Sequence, residues 1–261
     1  MLFRSIVEDY PFFRAAWSSF VVFNYPNTRL FRAMTGCYRQ AIQHLGKDTL
    51  PRHSVKSPED ALAEHLMAYY WQGAFEFGGA DPLLDDFFVL ASDAVRGHAM
   101  WFVGMSVAGW KDEAPAEVYG KLQDLFGRRL EAARSATSPE AFSAELSNFG
   151  YWFTSEKFEE RWSLETLLGA LQLSKKTASE MDVVKRLTEL CLRYPVECVS
   201  CLRLMIEGDK EGWILIGVEA NARTLLKRAL ESNNPEGSAS ARSLIEWLIA
   251  KGQFGFRDLL T

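Results

Sequence analysis

Cys198-Val199-Ser200-Cys201 is the most conspicuous reactive spacing in this chain. Two thiols three residues apart can form a redox pair or half of a zinc site. Structural zinc takes four ligands, and nothing near the pair supplies a second pair. Cys191 adds one sulfur, while His44, His53, His65 and His98 are remote in sequence, and no βαβ pattern flanks the thiols as in thioredoxin-like chemistry. On a helix, Cys198, Cys201, Leu202 and Met205 share one face, where cysteine acts as a small buried hydrophobe. Core packing is the leading reading and redox or metal chemistry the second, so neither metal nor cofactor is expected.

Other candidates also have a plainer reading. Glu64-His65 lies in a helical segment, but a zinc protease needs a second His four residues on and position 69 is Tyr, so His65 reads as a hydrogen-bonded partner in a helix interface. Asp85-Asp86 and Glu159-Glu160 are adjacent carboxylates, and neighbours on a helix point about 100° apart, which does not suit a general acid–base pair. Arg128-Arg129, Lys175-Lys176, Lys185-Arg186 and Lys227-Arg228 could align into a basic ridge for phosphates, although acids at Glu131, Glu180 and Glu231 dilute it. The densest aromatic cluster is Tyr151, Trp152 and Phe153 with Phe158 and Trp162. Exposed, it would anchor a partner, and base stacking is conceivable. Buried, it would fill a junction between helices. These five residues are the candidate binding residues; no catalytic residue is assigned. Phosphate-binding loops, the dinucleotide fingerprint, the nucleophile elbow and EF-hand loops are all missing from the sequence.

The elements that must position these residues read as helices throughout. Val118, Leu122, Leu125, Phe126, Leu130 and Ala133 repeat at helical spacing. So do Val218, Ala222, Leu225, Leu226 and Ala229, and again Ala241, Leu244, Ile245, Leu248 and Ile249. Ser57-Pro58, Ser138-Pro139 and Asn234-Pro235, each followed by Glu, have the form of an N-cap with Pro in the first turn. Asp81-Pro82 and Tyr194-Pro195 also start helices, and Gly208 and Gly252 close them. Together these signals predict helices near 11–23, 28–45, 58–74, 82–91, 92–108, 114–135, 139–149, 160–173, 180–193, 195–207, 213–232 and 236–251, with a short turn at 253–260. Short connections make consecutive helices antiparallel neighbours. Residues 180–207 and 213–251 pair as two hairpins that must stack to bury their faces. The expected fold class is all-α, an irregular stack of antiparallel hairpins of the HEAT-like α-solenoid type, with a compact helical bundle as the alternative. The polar break from Gly46 to Ser57 divides an N-terminal helical segment, 1–56, from a repeat-like domain, 57–261, unless the two form one continuous domain.

The 261 residues carry a net charge of -5, which argues against a protein that coats nucleic acid. The longest nearly apolar stretch, Ala99 to Trp110, is too short to cross a bilayer. Met1 to Tyr10 carries Arg4, Glu8 and Asp9 and lacks the apolar centre of a signal peptide, so a reducing cytoplasm is expected.

Three runs carry a resemblance: Ala61-Leu62-Ala63-Glu64-His65-Leu66-Met67-Ala68-Tyr69-Tyr70-Trp71-Gln72-Gly73, then Asn148-Phe149-Gly150-Tyr151-Trp152-Phe153-Thr154-Ser155-Glu156-Lys157-Phe158 completed by Arg161-Trp162, and the ending Ala250 to Leu260. Together they resemble the C-terminal helical regions of large bacterial proteins in which an NTPase-type or effector domain precedes a HEAT-like tail. Some such proteins are linked to anti-phage defence. The nucleotide-binding part has no counterpart here, so no active-site residue carries over. The resemblance implies a recognition, regulatory or assembly region, with the parent NTPase or effector domain or a separate subunit as protein partner. The leading functional expectation is a non-catalytic scaffold for protein recognition. A nucleic-acid-contacting stack acting through phosphates is the alternative, and an all-α enzyme comes third.

Overall fold

The computed structural model describes residues 28–45 and 57–260. The helix expected at 11–23, His53 and the polar break through residue 56 lie outside the described residues. Every regular element among the described residues is helical. In chain order they are α1 (Thr28–Gln43), α2 (Pro58–Trp71), α3 (Leu83–Leu90), α4 (Asp93–Gly109), α5 (Ala116–Ser135), a 3-10 turn (Pro139–Phe142), α6 (Ser143–Ser147), α7 (Phe149–Thr154), α8 (Glu160–Ser174), α9 (Glu180–Leu190), α10 (Pro195–Gly208), α11 (Trp213–Leu230), α12 (Pro235–Ala250) and a C-terminal 3-10 turn (Phe254–Leu260). The fold class is all-α, a compact packing of helices. No described helix is long and apolar enough to cross a membrane.

The termini show why these segments are helical. Ser57 Oγ accepts the Asp60 amide at 3.1 Å, with Pro58 in the first turn. Asn234 Oδ1 accepts the Gly237 amide at 2.9 Å, with Pro235 following. Each side chain satisfies an amide the helix leaves open. Ser138 makes no such bond, and the single helix expected over 139–149 is instead a 3-10 turn followed by α6 and α7. The reason is competition for carbonyls. Ser147 Oγ and Asn148 Nδ2 both bond back to the Ala144 carbonyl, and the Ser147 carbonyl accepts the Ala178 amide at 2.8 Å. Gly252 has φ +88° just after α12, as a closing glycine should. Gly208 instead lies inside α10 with Asp209 as the cap, and a Cβ there would run into the Lys175 carbonyl. That glycine serves close approach, not a left-handed turn.

Contacts divide the described residues into two compact units, one of those up to 106 with 110–129, the other of 107–109 with those from 130 onward. The described helix α1 of the N-terminal segment packs on α2 and α3, inside the first unit. That unit has an aromatic core in which Phe31, Tyr38, Tyr69 and Phe75 are buried against one another.

In the second unit alternate helices lie side by side. One row is α6, α8, α10 and α12, and the other is α7, α9, α11 and the C-terminal turn. Successive helices α9 to α12 also pack on each other. The register between α9 and α11 is set by polar contacts. Cys191 Sγ donates to the Leu225 carbonyl at 3.3 Å, and Thr188 Oγ1 lies 3.2 Å from the Asn221 carbonyl. Arg228 reaches back to the Thr188 carbonyl at 2.6 Å. Partners that climb together along both helices make α9 and α11 parallel, at sequence offsets of 33 and 34 residues.

Candidate functional site

The aromatic cluster is largely interior. Trp152, Phe153 and Phe158 are buried, and Tyr151 and Trp162 are half-buried. Trp152 stacks on Phe158 at 5.6 Å, and Phe149 meets Trp162 edge-on at 5.7 Å. Gly150 makes room for the Ala178 carbonyl where a Cβ would collide. Of the binding candidates Tyr151, Trp152, Phe153, Phe158 and Trp162, the buried rings lie where α7 and α8 pack together, and Tyr151 and Trp162 keep part of their surface in solvent. The hydrophobic payload of the buried rings is large enough that a helical stack hides it rather than presents it.

The thiols are likewise interior. All four cysteines are free, and Cys191, Cys198 and Cys201 are buried. Burial pushes the Cys191 thiol up to about 11, partly opposed by Arg228, and pushes Cys198 and Cys201 up further. A raised thiol is a poor nucleophile and a poor ligand at neutral pH. Among the described residues no group of three or more His, Cys, Asp or Glu could hold a metal ion.

The charged candidates are engaged with near neighbours. His65 Nδ1 lies 2.8 Å from the Tyr38 hydroxyl, which itself lies 3.1 Å from that of Tyr69. His98 sits between Glu64 at 3.0 Å and Asp60 at 3.8 Å. Glu159 and Glu160 take separate tasks. Glu159 caps α8, and the amides of Trp162 and then Arg161 hold its carboxyl below the usual range. Glu160 accepts from Arg193 at 2.8 Å and Arg186 at 3.4 Å. Asp85 accepts the Gly78 amide, which stabilises a tight turn. Several members of the basic pairs are engaged locally: Arg129 is buried over the Phe88 ring, Arg128 pairs with Asp124, and Arg186 is ringed by Glu156, Glu160 and Glu189.

An apolar face open to solvent lies on α11. Its buried side is Leu215, Val218, Ala222, Leu225, Leu226 and Ala229. Its opposite side shows Trp213, Ile216, Gly217 and Ala220, at i, i+3, i+4 and i+7, and all four are exposed. Trp213 is 66% exposed and Ile216 72%. Met181 of α9, 62% exposed, lies beside Gly217. Along this side runs a wide, open groove of about 630 Å³, floored by Ile216, Gly217 and Ala220, walled by Leu259 of the C-terminal turn, and lined also by Glu219, Arg223, Thr224 and Lys227. Arg223 anchors that wall by pairing with Asp258 at 2.6 Å and covering the Phe256 ring. The signal was present in the sequence. The periodicity through Val218 and Ala229 accounts for one apolar face of this helix and leaves Trp213 and Ile216 on another. No family model matches this chain, and neither the curated proteins nor the solved structures contain a match.

Proposed function

We propose that this chain is a non-catalytic helical scaffold for protein recognition, acting as the tail of, or the partner to, a bacterial NTPase or effector of the kind linked to anti-phage defence. The carrying observation is the apolar side of α11. Trp213 and Ile216, with Met181 against the neighbouring Gly217, leave large apolar side chains in solvent, whereas Trp152, Phe153 and Phe158 are buried. Such surface marks interaction sites. The HEAT-like reading is supported by the parallel packing of α9 and α11 and the side-by-side rows of alternate helices, which is how stacked hairpins bury their faces. A phosphate-contacting surface is less well supported, because the expected basic pairs are divided among ion pairs, ring faces and backbone carbonyls.

Cross-linking of the tagged full chain in its native cells, followed by mass identification, tests this. The expected product is an NTPase or effector subunit linked to lysines around α11, such as Lys185, Lys210 and Lys227. Recovery of nucleic acid alone, released steeply by added salt, would instead support the phosphate-contacting alternative.

A further inference from the structure

We infer that the C-terminal turn, Phe254–Leu260, is a releasable strap that partly covers the outward side of α11 and opens without unfolding the helices beneath it. The inference rests on the scaffold reading above and gives its α11 face a regulation. The turn runs along that side of the helix. Gly255 comes so close to Glu219 that a Cβ would lie 3.0 Å from its carboxylate. Asp258 pairs with Arg223, and Leu259 stands at the groove with Ala220 and Thr224. Release takes away the Leu259 wall and widens access to this side of α11.

The turn is held by little. Phe256, with Arg223 over its ring, is its single buried residue. Phe254 is 67% exposed. The Arg223–Asp258 pair joins side chains that are 30% and 66% exposed, so solvent screens it and its contribution is small. Among the described residues no backbone hydrogen bond ties 254–260 to α11 or α12. The turn is also a seven-residue 3-10 stretch, and runs of that length are uncommon because their hydrogen-bond geometry is poorer than that of an α-helix. Its connection to α12 is a break in the ladder. Gly252, at φ +88°, and Gln253 bond back to Ile249 and Leu248 and close the helix, so α12 does not continue into the turn. The helices below are held differently, each burying a whole apolar side. A segment with one buried anchor opens at a lower free energy than the packed helices it rests on.

Hydrogen exchange of the full chain, read by mass spectrometry, tests the strap. Phe256→Ala removes the anchor and should speed exchange across residues 253–260 by about ten-fold or more, with exchange in α11 and α12 unchanged. Asp258→Ala should speed the same residues by less, since it removes only the screened ion pair. If Phe256→Ala also speeds exchange through α11 and α12, or if the wild-type turn exchanges no faster than those helices, the turn is an integral part of the helical stack and the inference is overturned. Native cross-linking tests the covering of α11. Phe256→Ala should raise the yield of NTPase or effector subunit linked to Lys210 and Lys227 several-fold over the wild type. An unchanged or lowered yield overturns the regulation and leaves the scaffold standing. If neither chain captures such a subunit, the scaffold reading falls, while the exchange pattern still decides whether the strap opens by itself.

Discussion

At the scale of single residues, the reactive groups owe their character to burial. Cys198 and Cys201 have the spacing of a redox or metal pair, yet both thiols are enclosed by α10 and its neighbours. Alkylation at neutral pH should modify the half-buried Cys37 first and reach Cys191, Cys198 and Cys201 only on unfolding. Peptide mapping checks this, and rapid native labelling of Cys198 would show that the core placement is wrong. The same burial sets a pH dependence. Folded Cys191 titrates at about 11 against an ordinary 9.0, and Cys198 and Cys201 are also raised. Below pH 9 both states hold the proton and the contribution is complete. From pH 9 upward the unfolded chain releases protons that the folded chain keeps, so stability falls as pH rises toward 11. Urea midpoints should drop across that window, and Cys198→Ala with Cys201→Ala should flatten the slope. Trp152 makes the packing point most sharply. Truncating this buried, stacked ring to Ala should cost about 3–5 kcal/mol in urea unfolding. A soluble Trp152→Ala protein with an unchanged midpoint would put the ring outside the core. What the sequence showed of these residues was their type and periodicity. It could not show that an aromatic cluster able to anchor a partner would instead close on itself.

At the scale of elements, glycine offers a clean contrast. Gly120 lies exposed in α5 with open space around its Cβ direction, whereas Gly150 in α7 faces the Ala178 carbonyl. Gly120→Ala should stabilise by about 0.5–1 kcal/mol through helix propensity. Gly150→Ala should destabilise, because backbone must move, and thermal melts of the two variants should shift in opposite directions. Ser57→Ala should cost about 1 kcal/mol by removing the cap of α2, while Ser138→Ala should cost much less, because Ser138 makes no capping bond. Two Ser-Pro-Glu segments of the same form thus behave differently. Helix starts were legible where the cap and the following ladder agree, as at Ser57 and Asn234. They were not legible where distant partners compete, as at Ser147, whose carbonyl goes to Ala178. In sequence Glu159 is half of a carboxylate pair, and the chemistry of a side chain does not reveal that two amides will converge on it.

At the scale of the whole molecule, the test is separation of folding from recognition. Ile216→Glu and Met181→Glu alter exposed positions, so each should change stability by less than about 0.5 kcal/mol while capture of the partner falls. Matched urea curves for the variants and the wild type are the check, and a large loss of stability in Ile216→Glu would mean that the α11 face is structural. The sequence by itself determined the all-α class, the positions of most helices, and the pairing of residues 180–207 and 213–251 as hairpins, because helical periodicity and capping are local and are written in neighbouring residues. Only the tertiary structure decided which apolar face each helix hides. Helix α11 has two such faces, and periodicity alone ranks neither. The packing of α9, α10 and α12 covers Val218 to Ala229 and leaves Trp213 and Ile216 in solvent. Burial is settled by what lies across the helix, and that is a property of the assembled fold.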